Sequence, residues 1–234
     1  MRAWRIGALL ALGLLCACAA SHYATGPDAA TTDGLRRVRF SPLDAEFVRP
    51  GASLRAYRGV ILEPVTVAWT PQRGRRLDPL ATPYVPPPEL VDAIAHYCHE
   101  SFADALAEGG AFALVSEPGW GVLRVRAHVV DLVLTADPSA RIRPRVDEYS
   151  SNFGALTLVL DVSDARSGEA LLRAVERQPL TYGSQSTVVR RNVEISREDA
   201  VTRAAAYREV FNHQAIVLRQ RLEELRRTPA PAGE

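Results

Sequence analysis

Lysine is absent from this 234-residue chain, and all 28 of its strongly basic residues are arginine. A GC-rich genome, which favours arginine and alanine codons, is the plainest cause. Excess charge of either sign is also missing. The formal net charge is +1, so no global field draws the chain to nucleic acid. Cysteine is scarce, with Cys16, Cys18 and Cys98 the only three. No G-x-S-x-G elbow occurs, and there are no internal repeats. The N-terminal apolar run, Ile6 to Leu15, is half the roughly twenty residues that a membrane-spanning helix needs.

That short run is nevertheless informative. Arg2 and Arg5 precede it, and "LCAC" closes it, with the proportions of a secretory signal. The junction resembles the lipobox of bacterial lipoproteins, with Leu15 at −3, Ala17 at −1 and Cys18 as the residue to be lipidated (palmitate among the acyl groups expected). Cys16 fits less well, because Leu15 and Gly13 would then hold the −1 and −3 positions. The competing readings are an ordinary signal peptide cut near Ala19 or Ala20, and a retained anchor. If Cys16 leaves with the signal and Cys18 is acylated, Cys98 has no intramolecular partner and the fold must stand on its core. Ala19 after the lipidated residue, by resemblance to Gram-negative lipoprotein sorting, implies the periplasmic face of the outer membrane.

The rest reads as one domain of residues 37–226, after a signal (1–17) and a lipidated, flexible tether (18–36), and before a disordered tail (227–234). "YRGVILEPVTVAW" (57–69) is a strand with Pro64 marking an edge or bulge. Pro88 opens a helix whose stripe runs through Ile94, Cys98, Phe102 and Leu106 to the Gly109–Gly110 stop. Residues 111–134 read as a hairpin, and 154–182 as a second hairpin turning at Ser167–Gly168. Ser196 and Asp199 have capping-box spacing ahead of a long helix. The expected fold is α+β: a two-layer sandwich in the order β-α-β-β-β-β-α. It has a mostly antiparallel sheet of about five strands and two helices on one face. The first strand and the one after the first helix should run parallel.

With "FSPLDAEF", "LRAYRGVILEPVTV", "GVLRVRAHVVDLV" and "LDVSDARSGEALLRAVERQ" in view, residues 38–225 resemble the bacterial lipoprotein family known as domain of unknown function 3313. The resemblance implies this fold and an envelope address. It brings no activity and no catalytic residues.

Candidate chemistry is thin. In "HYCHE", His96, His99 and Glu100 share helical spacing suited to a metal. The other histidines are scattered, however, and Tyr97 and Cys98 fall on the apolar stripe, so the plainer reading is a helix with partly exposed histidines. "PGWG" (118–121) precedes a strand, so its glycines serve a turn and bind no phosphate. Whether Trp120 is packed or exposed stays open. Asp131 and Asp161 are as easily structural as catalytic. Arginine clusters carry more. Arg141, Arg143 and Arg145 leave the third strand, and Arg190 and Arg191 follow the fifth. Antiparallel order places both at one end of the sheet, away from Arg73, Arg75 and Arg76. These arginines are candidate contacts for an anionic partner such as lipopolysaccharide or a glycan. The plainer reading is solvated loops balanced by Asp137, Asp147, Glu148 and Glu194.

The expected function is a non-enzymatic, membrane-anchored envelope module, held through Cys18, that binds an envelope protein or anionic component. It would use no cofactor, metal or nucleic acid. The alternative is a lipoprotein with a small-molecule or lipid pocket between sheet and helices.

Overall fold

The computed structural model describes residues 23–69, 85–134, 152–181 and 200–227. Its elements in chain order are β1 (Arg36–Arg37), β2 (Ala45–Val48), β3 (Gly59–Leu62), β4 (Thr66–Trp69), α1 (Pro88–Ala107), β5 (Ala113–Leu114), β6 (Val122–Leu134), β7 (Asn152–Asp164), β8 (Ala170–Thr181) and α2 (Ala200–Arg227). The strands form one sheet in the order β1-β2-β8-β7-β6-β3-β5, with β4 beside β6. The fold is α+β, with the sheet larger than the five strands expected.

Alternation sets the layers. Leu123, Val125, Ala127 and Val129 of β6 and Leu156, Leu158, Leu160 and Val162 of β7 are buried on one face. Ile94, Cys98, Phe102 and Leu106 of α1 join them in the core, as do Phe211, Ala215, Leu218 and Leu222 of α2. Each fully buried aliphatic side chain contributes roughly 1.5–3 kcal/mol.

Three expectations change. Residues 57–69 form two strands, because Pro64 has no N–H for the ladder. Glu63 N still donates to Val125 O at 3.0 Å, and pairing with β6 resumes at Thr66. Residues 111–134 are not a hairpin. β5 pairs in parallel with β3, and β6 pairs in parallel with the other edge of β3. The return depends on Gly121 at φ 68°, whose carbonyl accepts the Arg58 and Gly59 amides. A Cβ there would sit 2.5 Å from Ala56 O, so only glycine fits. Finally, the expected tether is folded from Tyr23 onward. Tyr23 bridges Val38, Ala30 bridges Arg36, and Ala29 and Leu35 are buried. Small polar composition concealed that pairing.

Other expectations hold. The parallel relation of β3 and β5 across α1 is present, as is the β7–β8 hairpin. α1 opens at Pro88, and the positive-φ glycines Gly109 and Gly110 follow it. The capping pair Ser196 and Asp199 lies outside the described residues.

Candidate functional site

The face of the sheet opposite the helices carries the polar half of the alternation. Register aligns Arg126 of β6, Asp161 of β7, Arg173 of β8 and Phe47 of β2 in one row. Arg173 Nε donates to Asp161 Oδ1 at 2.6 Å, and its Nη2 donates to Asp33 Oδ2 at 3.1 Å. His128 Nε2 lies 3.8 Å from Asp161 Oδ2, and Thr66 Oγ1 lies 2.7 Å from His128 Nδ1. Arg49 Nε donates to Ala170 O at 2.5 Å and lies 3.2 Å from Glu169 Oε1. Arg124 pairs with Glu63.

Asp33, Arg49, Arg124, Arg126, Asp161 and Arg173 line an open groove of about 610 Å³ together with Arg166 and the β7–β8 turn. That volume lies within the range of small-ligand sites. Arg49, Arg124 and Arg173 are matched by carboxylates. Arg126 and Arg166 have no carboxylate partner among the described residues. Arg166 instead stacks on Trp120, its Cζ 4.6 Å from the ring centroid. Trp120 is 88% exposed, which answers the question its sequence left open.

Asp164 builds the turn that presents Arg166. Its Oδ1 accepts the Arg166 amide at 3.0 Å, the Ser167 amide at 2.7 Å and the Ser167 hydroxyl at 3.0 Å; Oδ2 accepts the Tyr57 hydroxyl at 2.9 Å. Burial alone would raise the carboxyl pKa. The bonds from Ser167, Tyr57 and Arg166 outweigh it and hold Asp164 below its ordinary value. Burial, and then the carboxylate of Asp164, push the Tyr57 phenol well above its own.

The residues singled out from sequence fare differently. Cys18, Arg141, Arg143, Arg145, Arg190 and Arg191 lie outside the described residues, as do Arg73, Arg75 and Arg76. The strand ends before them are described. Leu134 of β6 and Leu180 of β8 both pair with Gly154, so those two ends meet as expected. β4 runs parallel to β6, with Trp69 opposite Leu132. The described end of β4, at Trp69, therefore lies at the same end of the sheet as the end of β6, not the opposite one, which corrects the expected separation.

His96 and Glu100 form an exposed pair at 3.2 Å, while Cys98 faces the core. Among the described residues, no group of three His, Cys, Asp or Glu side chains could hold a metal. None of the described helices is long and apolar enough to cross a membrane. Between sheet and α2, a cavity of about 10 Å³ is lined by Leu158, Leu172, Gln214 and Leu218, room for about one water.

The groove itself was missed in the sequence. Arg124 and Arg126 were legible as the polar side of β6, but the partners that complete the site, Asp33 and Arg49, come from far away in the chain.

These features define a two-layer α+β domain with a polar groove on its open face. The chain belongs to the family described as "Protein of unknown function (DUF3313)", which it matches over residues 32–194. Comparison with the curated proteins returned no match. Among solved structures, the PelC dodecamer from Paraburkholderia phytofirmans is similar at 10% identity over 74% of this chain and 94% of that one, with a TM-score of 0.37. A Xanthomonas campestris protein of family DUF330 is similar at 11% identity over 73% and 90% of the two chains, with a TM-score of 0.38. A candidate lipoprotein from Caulobacter crescentus is similar at 16% identity over 70% and 88%, with a TM-score of 0.29. Likenesses this distant assign no activity.

Proposed function

We propose that this protein is an envelope lipoprotein, acylated at Cys18 and held at the periplasmic face of the outer membrane. It acts by binding an anionic envelope component in the groove on the open sheet face, and not by catalysis. The observation that carries this reading is a pair of guanidiniums with no carboxylate partner among the described residues, Arg126 and Arg166, in a groove of about 610 Å³ edged by exposed Trp120. Arginine forks suit carboxylate and phosphate oxygens, and an exposed indole offers a stacking face beside them. The lipid-pocket alternative gains no comparable support, because the cavity of about 10 Å³ under α2 falls far short of a ligand site.

Crosslinking in cells, followed by mass spectrometry of captured partners, tests the reading. Arg126→Glu with Arg166→Glu should lose the capture that wild type shows, with thermal stability nearly unchanged, since exposed charges contribute under about 1 kcal/mol to folding. Binding of the captured partner should also weaken with salt, because such contacts are screened within about 10 Å at 0.1 M. Equal capture by the double variant at low salt would remove the groove from the function.

A further inference from the structure

The edge of the sheet nearest the N-terminus carries an exposed aromatic among unmatched arginines. Phe40 is 80% exposed, and Arg39 stacks on it with Cζ 5.5 Å from the ring centroid. Arg36 stacks on Tyr23 at 5.6 Å. Neither Arg36 nor Arg39 has a carboxylate partner among the described residues. An isolated exposed phenylalanine needs no explanation, but one set in a cationic cluster has the make-up of a bilayer-contacting surface.

Position along the chain gives this patch its occupant. Tyr23 bridges Val38 in antiparallel sense, and Ala24 N donates to Arg37 O at 2.9 Å. Antiparallel pairing sets Tyr23, the first described residue, at the end where Arg39 and Phe40 follow Val38. Five peptide links from Cys18 to Tyr23 span at most about 18 Å, and two links put Phe40 within about 7 Å of Val38. A folded domain on so short a leash must hold this edge close to the bilayer.

The groove's turn lies elsewhere. Asp44 N meets Glu176 midway along β8, whereas Arg166 lies before Ala170, where that strand begins. Six residues of strand separate the two levels by about 20 Å.

We infer that Phe40, Arg36 and Arg39 form a membrane-docking patch that seats the domain on an anionic leaflet and turns Trp120 and Arg166 away from it. The inference rests on the anchor reading at Cys18. Phe40 enters the headgroup region, and the two guanidiniums meet lipid phosphates. A patch of this kind fixes orientation, which a lipid tether alone does not.

The test places a photoreactive benzophenone analogue of phenylalanine at position 40, or at position 120 as control, in the full-length protein. Each is irradiated on vesicles of phosphatidylcholine alone or mixed with phosphatidylglycerol. Lipid adducts are expected at 40, more with phosphatidylglycerol, and absent at 120. Arg36→Glu with Arg39→Glu should lose them. The mass of the Cys18 peptide reports acylation independently. An acylated Cys18 with no adduct at 40, or equal adducts at 40 and 120, overturns the patch. An unacylated Cys18 overturns the anchor reading instead, and adducts at 40 on phosphatidylglycerol vesicles then decide the patch alone. Adducts at 40 to protein in irradiated cells, with none to lipid, also overturn it.

Discussion

Glu46 Oε1 lies 2.5 Å from Arg221 Nε, joining the inner face of β2 to α2 where Glu46 is only 1% exposed. The Ser41 hydroxyl donates to the other carboxylate oxygen at 2.8 Å, so the buried charge is well satisfied. Burial works against the Arg221 cation, and its bonds to Glu46 and then Glu224 more than restore it, raising its pKa. Arg221→Met would leave a carboxylate buried without its cation. A loss of about 3–5 kcal/mol in urea unfolding is expected. Glu46→Leu combined with Arg221→Met should recover most of it, since a packed apolar pair avoids the desolvation cost. A double variant as unstable as Arg221→Met alone would show that the pair is needed for its geometry as well as its charge.

The layer assignment can be checked one residue at a time. Leu158 is 1% exposed on the inner face of β7, while Thr157 beside it faces the open side. Leu158→Asp would bury an unpaired charge and cost several kcal/mol, enough to threaten folding. Thr157→Asp should shift the melting temperature little. Similar circular-dichroism melts for both would mean that the faces of β7 are misassigned.

Residues 157 and 158 also show why some of this fold was legible in the sequence. Long strands repeat their pattern: Leu156 to Val162 and Leu123 to Val129 alternate for several residues, and α1 declares itself through Pro88 and a stripe from Ile94 to Leu106. β1 and β2 hold two and four residues, too short for any period. β5 looked like half of a hairpin because sequence neighbours usually pair, yet its partner is β3, across α1. The groove has the same origin. Arg126 sits in a readable strand, but Asp33 lies in the stretch whose composition reads as a tether (18–36), and Arg49 follows β2, whose partner β8 is far along the chain. Local pattern shows which side of a strand is polar, and only the assembled sheet shows which polar groups meet.

Processing at the N-terminus yields a sharp contrast between two cysteines one residue apart. Cys18→Ala should abolish acylation and leave an uncleaved or soluble form, while Cys16→Ala should still be processed. Metabolic labelling with a palmitate analogue, with gel mobility of the precursor, reads both outcomes. Lipid label persisting in the Cys18 variant, or missing from wild type, would defeat the anchor reading. Cys98 should not confuse the assay. Burial pushes its thiol up to about 12, so it stays protonated and enclosed until the protein unfolds.

The Tyr57–Asp164 contact should make stability sensitive to pH at both extremes. The folded pKa of Asp164 lies below its unfolded value, so the native state favours the carboxylate. Its contribution is present above the ordinary aspartate value of about 4 and is lost as pH falls through that value towards the folded one. Tyr57 has the opposite shift. Its folded pKa is raised, so the native state favours the neutral phenol. That contribution is complete below the ordinary tyrosine value of about 10 and declines as pH rises past it. Asp164→Asn should therefore lower the melting temperature at pH 7, with the gap to wild type closing below about pH 4. Tyr57→Phe should flatten the alkaline fall above about pH 10 while leaving the acid limb largely in place, because the Ser167 and Arg166 bonds to Asp164 remain. Parallel melting curves for wild type and both variants across the whole range would show that this contact does not couple folding to protonation.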